Sequence, residues 1–171
     1  MKKTISIFMV MAVLVVALGS PALAAEKEGY LPEGCLLLED VPKIYLNDNR
    51  LDIHPIAITD DRILVPCLAF CGVLGAQEVY RYDDGLRVMV SFPRKVFIFN
   101  LGSKEVDVSG EWVDSTEASW PVMETREMDS YTVRLGGYIL VPLRFVAENL
   151  GYEVDWDDAT RSVYIEKEAT S

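Results

Sequence analysis

Three cysteines and one histidine are the side chains of this 171-residue chain that could act as nucleophiles or soft metal ligands. Cys67 and Cys71 are four residues apart, a spacing that puts Cβ atoms about 5–6 Å apart on a helix. A disulfide needs Cβ atoms about 3.8 Å apart, so a bond between these two would distort the helix. Three interpretations stay open: small buried apolar side chains, a disulfide from Cys35 to Cys67 or Cys71, and a zinc site that adds His54.

The other polar side chains do not form a recognisable catalytic set. A serine or cysteine nucleophile needs a base, and the single histidine, His54, precedes a proline in a hairpin-like region. Asp155, Asp157 and Asp158 lack the glycine and the distal glutamate of an EF-hand loop, and a strand puts the first two on one solvent face. We therefore expect no catalytic residue, no cofactor and no bound metal.

The three tryptophans fall into two groups. Trp156 alternates in phase with Val154, which predicts that both side chains face a core. Trp112 and Trp120 lie in or beside a polar stretch near residues 114–130. A loop aromatic either anchors its loop to the domain or stacks on a sugar or a peptide. Trp112 and Trp120 are therefore the predicted ligand-binding residues.

One block of sequence occurs twice and must position these side chains. Residues 62–75 read RILVPCLAFCGVLG and residues 138–151 read YILVPLRFVAENLG. Each block predicts a buried strand, a helix of about nine residues that begins at the proline, and a left-handed glycine after the helix. Asp60-Asp61 and Gly136-Gly137 precede the two strands and suit tight hairpins. The structural residues are Pro66 and Gly75 in the first block, and Pro142 and Gly151 in the second.

The two predicted helices differ in composition. Arg144 and Glu148 lie four residues apart on the second helix and can form an ion pair worth about 0.3–0.5 kcal/mol. The first helix has Leu68 and Gly72 at these positions. Apolar residues at helical spacing form the faces that we expect to be buried. They are Cys67, Phe70, Cys71 and Leu74 in the first helix, and Leu143, Val146, Ala147 and Leu150 in the second.

The N-terminal residues have the pattern of a secretory signal. Lys2 and Lys3 precede an apolar stretch over residues 5–18, which is shorter than the ~20 residues that span a bilayer as a helix. Small residues suit cleavage after Ala24 or Ala25, and an uncleaved N-terminal anchor is the alternative. No later apolar stretch approaches spanning length. We therefore expect a secreted protein without a membrane span after cleavage.

These patterns together predict an α+β fold, with two repeated β-rich units that each place hairpins around one short helix. The net charge of −11 disfavours nucleic acid, anionic lipid and other polyanions as partners. The sequence leaves the oligomeric state undecided. The predicted organisation is a signal peptide (1–24), a lead segment (25–41), a first unit (42–93), and a second unit (94–167) with an extra loop near 114–130.

The segment LVPLRFVAENLGYEVDWDDATRSVYI resembles the signature block of the copper amine oxidase-like N-terminal domain family, also called the stalk domain. Ile44-Tyr45-Leu46-Asn47 fits the hairpin that precedes this block in the family. The resemblance covers about residues 43–166 and is weaker in the first unit, where Leu68 and Gly72 replace the arginine and the glutamate. It implies a stalk-like module of secreted or envelope proteins in Gram-positive spore-formers, without catalysis of its own.

Amine oxidase activity itself is not expected from the residues present. Such a copper site needs several imidazoles, and the quinone cofactor forms from a tyrosine that follows an asparagine, a pair absent here. We expect a non-enzymatic binding or spacer module, extracellular and associated with the cell wall, whose partner is a cell-wall polymer or an envelope protein. The alternative is a secreted hydrolase that uses carboxylates on a glycan, although no carboxylate pair is distinguished by its sequence context.

Overall fold

A computed structural model describes residues 29–30, 32–39, 41–55, 57–110 and 122–167. Within these residues the chain forms fifteen strands and two short helices, so the predicted α+β class is confirmed. The predicted signal peptide, Trp112 and Trp120 lie outside the described residues.

The largest sheet, here called the central sheet, is built around the two strands that carry Ile-Leu-Val-Pro, which are its central strand pair. β6 (Arg62–Pro66) pairs antiparallel with β13 (Tyr138–Pro142), and Val65 lies opposite Val141. Alternation puts these two valines in the main core, whereas Leu64 and Leu140 join a smaller apolar cluster on the other face. The sheet has the order β1-β12-β13-β6-β5-β2, with β1 at Gly29–Tyr30, β12 at Val133–Leu135, β5 at Ala57–Thr59 and β2 at Leu36–Leu37.

A second sheet joins early and late segments of the chain. β3 (Lys43–Leu46) runs parallel to β15 (Ser162–Lys167), and the Tyr45 and Tyr164 rings stack at 5.1 Å between centroids. The order is β14-β15-β3-β4, so β14 and β4 are the edges. β14 spans Tyr152–Asp157 and β4 spans Asn49–Leu51.

The third sheet is an antiparallel meander between the two repeated blocks. Its inward side chains include Phe92, Phe97 and Phe99, which contact one another as edge-to-face and stacked rings. The five strands follow one another in chain order. They are β7 (Glu78–Arg81), β8 (Arg87–Phe92), β9 (Lys95–Asn100), β10 (Glu105–Ser109) and β11 (Met123–Glu127).

The helices α1 (Cys67–Val73) and α2 (Leu143–Asn149) each begin one residue after the proline, not at the proline as predicted. Pro66 and Pro142 have ψ values of 116° and 118°, because each proline is still the last residue of its strand. Gly75 and Gly151 have φ values of 93° and 79°, so the predicted left-handed positions are confirmed. Neither described helix is long and apolar enough to cross a membrane.

The helices pack against the central sheet with the faces that the sequence predicts. All the predicted core positions of α1 and its C-terminus are buried, as are Leu143, Val146 and Ala147, while Leu150 is half-buried at the margin. Ile44 and Ile165 belong to this same cluster although they come from different predicted units. The two units thus share one main core, and the boundary between residues 93 and 94 stays a prediction.

Candidate binding groove

A groove of about 240 Å³ lies where the second sheet, the central sheet and the start of α2 meet. We call it the tryptophan groove. The β14–β15 hairpin supplies Trp156, the start of α2 supplies Arg144, and the start of β6 supplies Arg62. Apolar side chains, among them Ile63, Leu143, Val154 and Val163, form most of the remaining lining.

Trp156 corrects a prediction made from the sequence. Trp156 and Val154 share a face of β14 as expected, but Val154 is 7% exposed and Trp156 is 42% exposed. The packed elements therefore cover that face as far as Val154 and leave the indole in the groove. Alternation predicts which side of a strand a residue faces, but not how far the covering elements extend along it.

The indole is held in place by the turn that follows it. Its Nε1–H donates to Asp158 Oδ1 at 2.9 Å. Asp157 accepts from the Thr160 hydroxyl at 2.7 Å and from the Ala159 N–H at 2.8 Å, and these bonds lower its pKa below the usual value, the hydroxyl most. Both carboxylates are thus used to shape the turn, as in an Asx turn. This accounts for two of the three acids that the sequence singled out, without catalysis.

Three arginines, Arg62, Arg144 and Arg161, line the groove, and the first two are partly exposed and form ion pairs. Arg144 Nη1 lies 3.2 Å from Glu148 Oε1, which confirms the predicted ion pair, and both side chains are about half exposed. Arg62 bonds to Asp129, and this bond is the main cause of its raised pKa. Exposed pairs of this kind contribute about 0–1 kcal/mol. Each guanidinium has five N–H donors, so a ligand can compete for them at little cost.

Of the three interpretations of the cysteines, the disulfide from Cys35 to Cys67 or Cys71 is not formed, and all three cysteines are free. Cys35 packs on the cluster of Leu64 and Leu140, whereas Cys67 and Cys71 lie in the main core on the opposite face of that sheet. Cys67 and Cys71 are buried with their Sγ atoms 3.9 Å apart. Their mutual hydrogen bond and then burial raise the pKa of Cys71 well above its usual value, so the thiol stays neutral.

The remaining sequence candidates do not form a reactive site. His54 is exposed, and it makes no hydrogen bond to a serine or cysteine within the described ranges. In the same part of the chain, no group of three or more His, Cys, Asp or Glu side chains is arranged for a metal ion. The tryptophan groove, in contrast, combines apolar side chains with a partly exposed indole and arginine side chains, a lining that is typical of small-ligand sites.

Sequence reasoning assigned Arg144 only a structural role and missed the groove. The groove depends on the approach of the β5–β6 hairpin to β14, which are about ninety residues apart in the chain. One local signal was available: the second helix has Arg144 where the first has Leu68. A change from an apolar to a charged side chain at matched exposed positions of two repeats can indicate a binding site in one of them.

The described residues form a small α+β module with a mainly apolar groove lined by a tryptophan and arginines. The sequence profile of the copper amine oxidase N-terminal domain matches residues 45–165. The chain belongs to this family, as the resemblance implied. In copper amine oxidases this N-terminal domain is not the catalytic domain. No curated protein and no solved structure matches the chain.

Proposed function

We propose that this chain is a secreted, non-enzymatic module that binds a cell-wall glycan in the tryptophan groove. The observation that carries the proposal is the exposed face of Trp156 in a groove whose other walls carry Arg144 and Arg62. An indole face stacks well on the C–H face of a sugar ring, and its N–H is already satisfied by Asp158. The groove thus offers an apolar platform with fixed orientation.

The charges of the groove favour a ligand with few negative groups. Guanidinium groups bind carboxylates in a bidentate manner, which suits a sugar acid or the end of a peptide stem. Arg161, Asp61 and Asp155 also line the groove, and the chain as a whole carries a net charge of −11. A polyanion such as a phosphate-rich wall polymer would be repelled by this surface. Peptidoglycan, whose carboxylates are sparse, fits better.

The direct test is the retention of the purified chain on peptidoglycan from which anionic wall polymers have been removed. Trp156→Ala should lower the retention by at least about tenfold, because one stacking contact of a large aromatic is lost. Tyr80→Ala is the matched control, since Tyr80 is 45% exposed on β7 but does not line the groove. Equal retention of Trp156→Ala and the unaltered chain would refute the proposed site.

Two further variants separate this proposal from the sequence-based ones. Trp112→Ala and Trp120→Ala should bind like the unaltered chain if the tryptophan groove is the site. Loss of binding in these variants would instead support the original ligand-binding prediction. Release of soluble sugar from the peptidoglycan would favour the hydrolase alternative.

Export is the second part of the proposal and rests on the charged and apolar pattern of residues 1–24. The N-terminal sequence of the protein recovered from culture medium or cell wall should begin directly after Ala24 or Ala25. Recovery of the full-length chain in the cytoplasm alone would contradict it.

A further inference from the structure

A second groove, of about 290 Å³, lies at the start of α1. Its walls are Leu68 of α1, Tyr138 at the start of β13, and Arg81 at the end of β7. We call it the tyrosine groove. The main core closes it from below with Cys67, Val88 and Ile139.

The two grooves are built from matched positions. Tyr138 stands 76 residues after Arg62, and Arg144 stands 76 residues after Leu68. On the strands, Arg81 lies opposite Val88, just as Trp156 lies opposite Val163. All of these side chains line their respective grooves. Because β6 and β13 are antiparallel and Val65 pairs with Val141, the grooves lie at opposite ends of the central strand pair.

The matched positions carry the same two chemical groups in exchanged places. The tryptophan groove has its aromatic ring on the strand and its guanidinium groups on the helix and the hairpin. The tyrosine groove has its aromatic ring on the hairpin and its guanidinium on the strand. Tyr138 is 57% exposed, and Arg81 is exposed without an ion-pair partner among the described residues. A carboxylate can therefore bind Arg81 without displacing another acid.

The exposed leucine of this groove also points to a ligand. Leu68 is 64% exposed on the first turn of α1, where the matched residue of α2 is Arg144. Single exposed leucines are ordinary on protein surfaces. Here, however, Leu68 faces a groove that also exposes an aromatic ring and an unpaired guanidinium, which is the combination that marks small-ligand sites.

We propose that the tyrosine groove is a second binding site for the same class of ligand, a sugar unit that bears a carboxylate. This inference rests on the proposed function of the tryptophan groove. The module is then bivalent, and its two sites hold two segments of the wall polymer at opposite ends of the central strand pair. Two weak sites on one rigid body give tight retention on a polymer, because the second contact is intramolecular.

The decisive experiment is a titration with a soluble disaccharide-peptide released from peptidoglycan by muramidase, followed by calorimetry and NMR. The unaltered chain should bind two molecules. Trp156→Ala and Tyr138→Ala should each bind one, and the double variant should bind none. Tyr80→Ala is again the control and should bind two. Leu68→Asn, an exposed change on a helix, is the second variant of the tyrosine groove and should weaken the same site as Tyr138→Ala.

The outcomes separate this inference from the proposed function. One bound molecule, abolished by Trp156→Ala and unaffected by Tyr138→Ala and Leu68→Asn, would overturn the second site and leave the first intact. Binding that no Trp156 variant alters would overturn the proposed function of the tryptophan groove. On insoluble peptidoglycan, loss of either site should reduce retention by about a hundredfold if the sites act together. A loss no larger than the change at one site would overturn bivalence.

Discussion

α1 and α2 begin after the same Val-Pro pair and end before the same Leu-Gly pair, but they differ on both faces. On the buried face, Phe70 of α1 matches Val146 of α2, while the small Cys67 matches the larger Leu143. On the exposed face, the Arg144–Glu148 ion pair matches Leu68 and Gly72.

This comparison indicates which positions the fold constrains. Side-chain volume is shifted between neighbouring buried positions. Protein cores tolerate such shifts when the total side-chain volume is unchanged. The proline and the glycine that bound each helix are the same in both: the fixed φ of proline suits the step from strand to helix, and glycine adopts the left-handed turn without strain. The exposed positions are free to differ, and their side chains give each groove its own surface.

The largest expected effect tests the redistribution of buried volume. Phe70→Ala removes a fully buried ring and should lower the free energy of unfolding by about 3–5 kcal/mol. Val146→Ala removes fewer atoms from the matched position and should cost less. Urea denaturation monitored by circular dichroism measures both. A larger loss for Val146→Ala would mean that the two helices do not divide the core as described.

Replacement of the glycines that follow the two helices should destabilise the fold, whereas replacement of a glycine inside a helix should stabilise it. Gly75→Ala and Gly151→Ala should each cost about 1–2 kcal/mol, because a Cβ is strained at positive φ, although no atom lies within 4 Å of it. Gly72→Ala is the control: its Cβ is also unobstructed, but its backbone is helical, so it should stabilise by about 0.5–1 kcal/mol. Chemical denaturation measures the free energy of unfolding of all three variants. A stabilising effect of Gly75→Ala or Gly151→Ala, or a destabilising effect of Gly72→Ala, would contradict this prediction.

The exposed face of α2 can be transferred to α1. The double variant Leu68→Arg with Gly72→Glu should gain a coupling energy of about 0.3–0.5 kcal/mol over the two single variants. The coupling should disappear in 1 M salt, since exposed charges are screened. A double-mutant cycle at both salt concentrations measures it, and a coupling that survives high salt would assign the effect to something other than charge.

The smallest expected effect is on stability at low pH, and it concerns the turns that follow β7 and β14. Asp84 and Asp157 both have lowered pKa values, Asp84 chiefly through the Leu86 N–H and Asp157 chiefly through the Thr160 hydroxyl. A lowered folded-state pKa gives stability that is complete above the unfolded value of about 3.9 and is lost as the pH falls through the folded value. Below about pH 4, the unaltered chain should therefore lose stability faster than Asp84→Asn or Asp157→Asn. Parallel curves of unfolding free energy between pH 5 and pH 2.5 would contradict this.

Local features of the fold could be predicted from the sequence. Asp60-Asp61 and Gly136-Gly137 are all left-handed, as the tight hairpins require, and the glycines after the helices are left-handed too. Each of these features depends on a few neighbouring residues. The helix start was misplaced by one residue, because a proline serves equally well at the last position of a strand and the first of a helix.

Long-range features could not be predicted. The sequence does not reveal that Cys35 lies on the other side of the sheet from Cys67, or that the β5–β6 hairpin forms a wall beside Trp156. Both depend on which strands become neighbours, and alternation gives only the face of each strand. The site was missed for the same reason: its residues come from four separate segments, near residues 38–42, 58–63, 143–144 and 154–163.

The parallel pairing of β3 with β15 has a mechanical consequence. Force that enters at Lys43 and leaves at Lys167 runs along both strands in opposite senses. Their ladder bonds, together with the Asn47 N–H bond to the Ile165 carbonyl at 3.0 Å, are then sheared all at once and not opened one by one. A module pulled through these two strands would therefore resist force far better than one whose ladder bonds broke in turn.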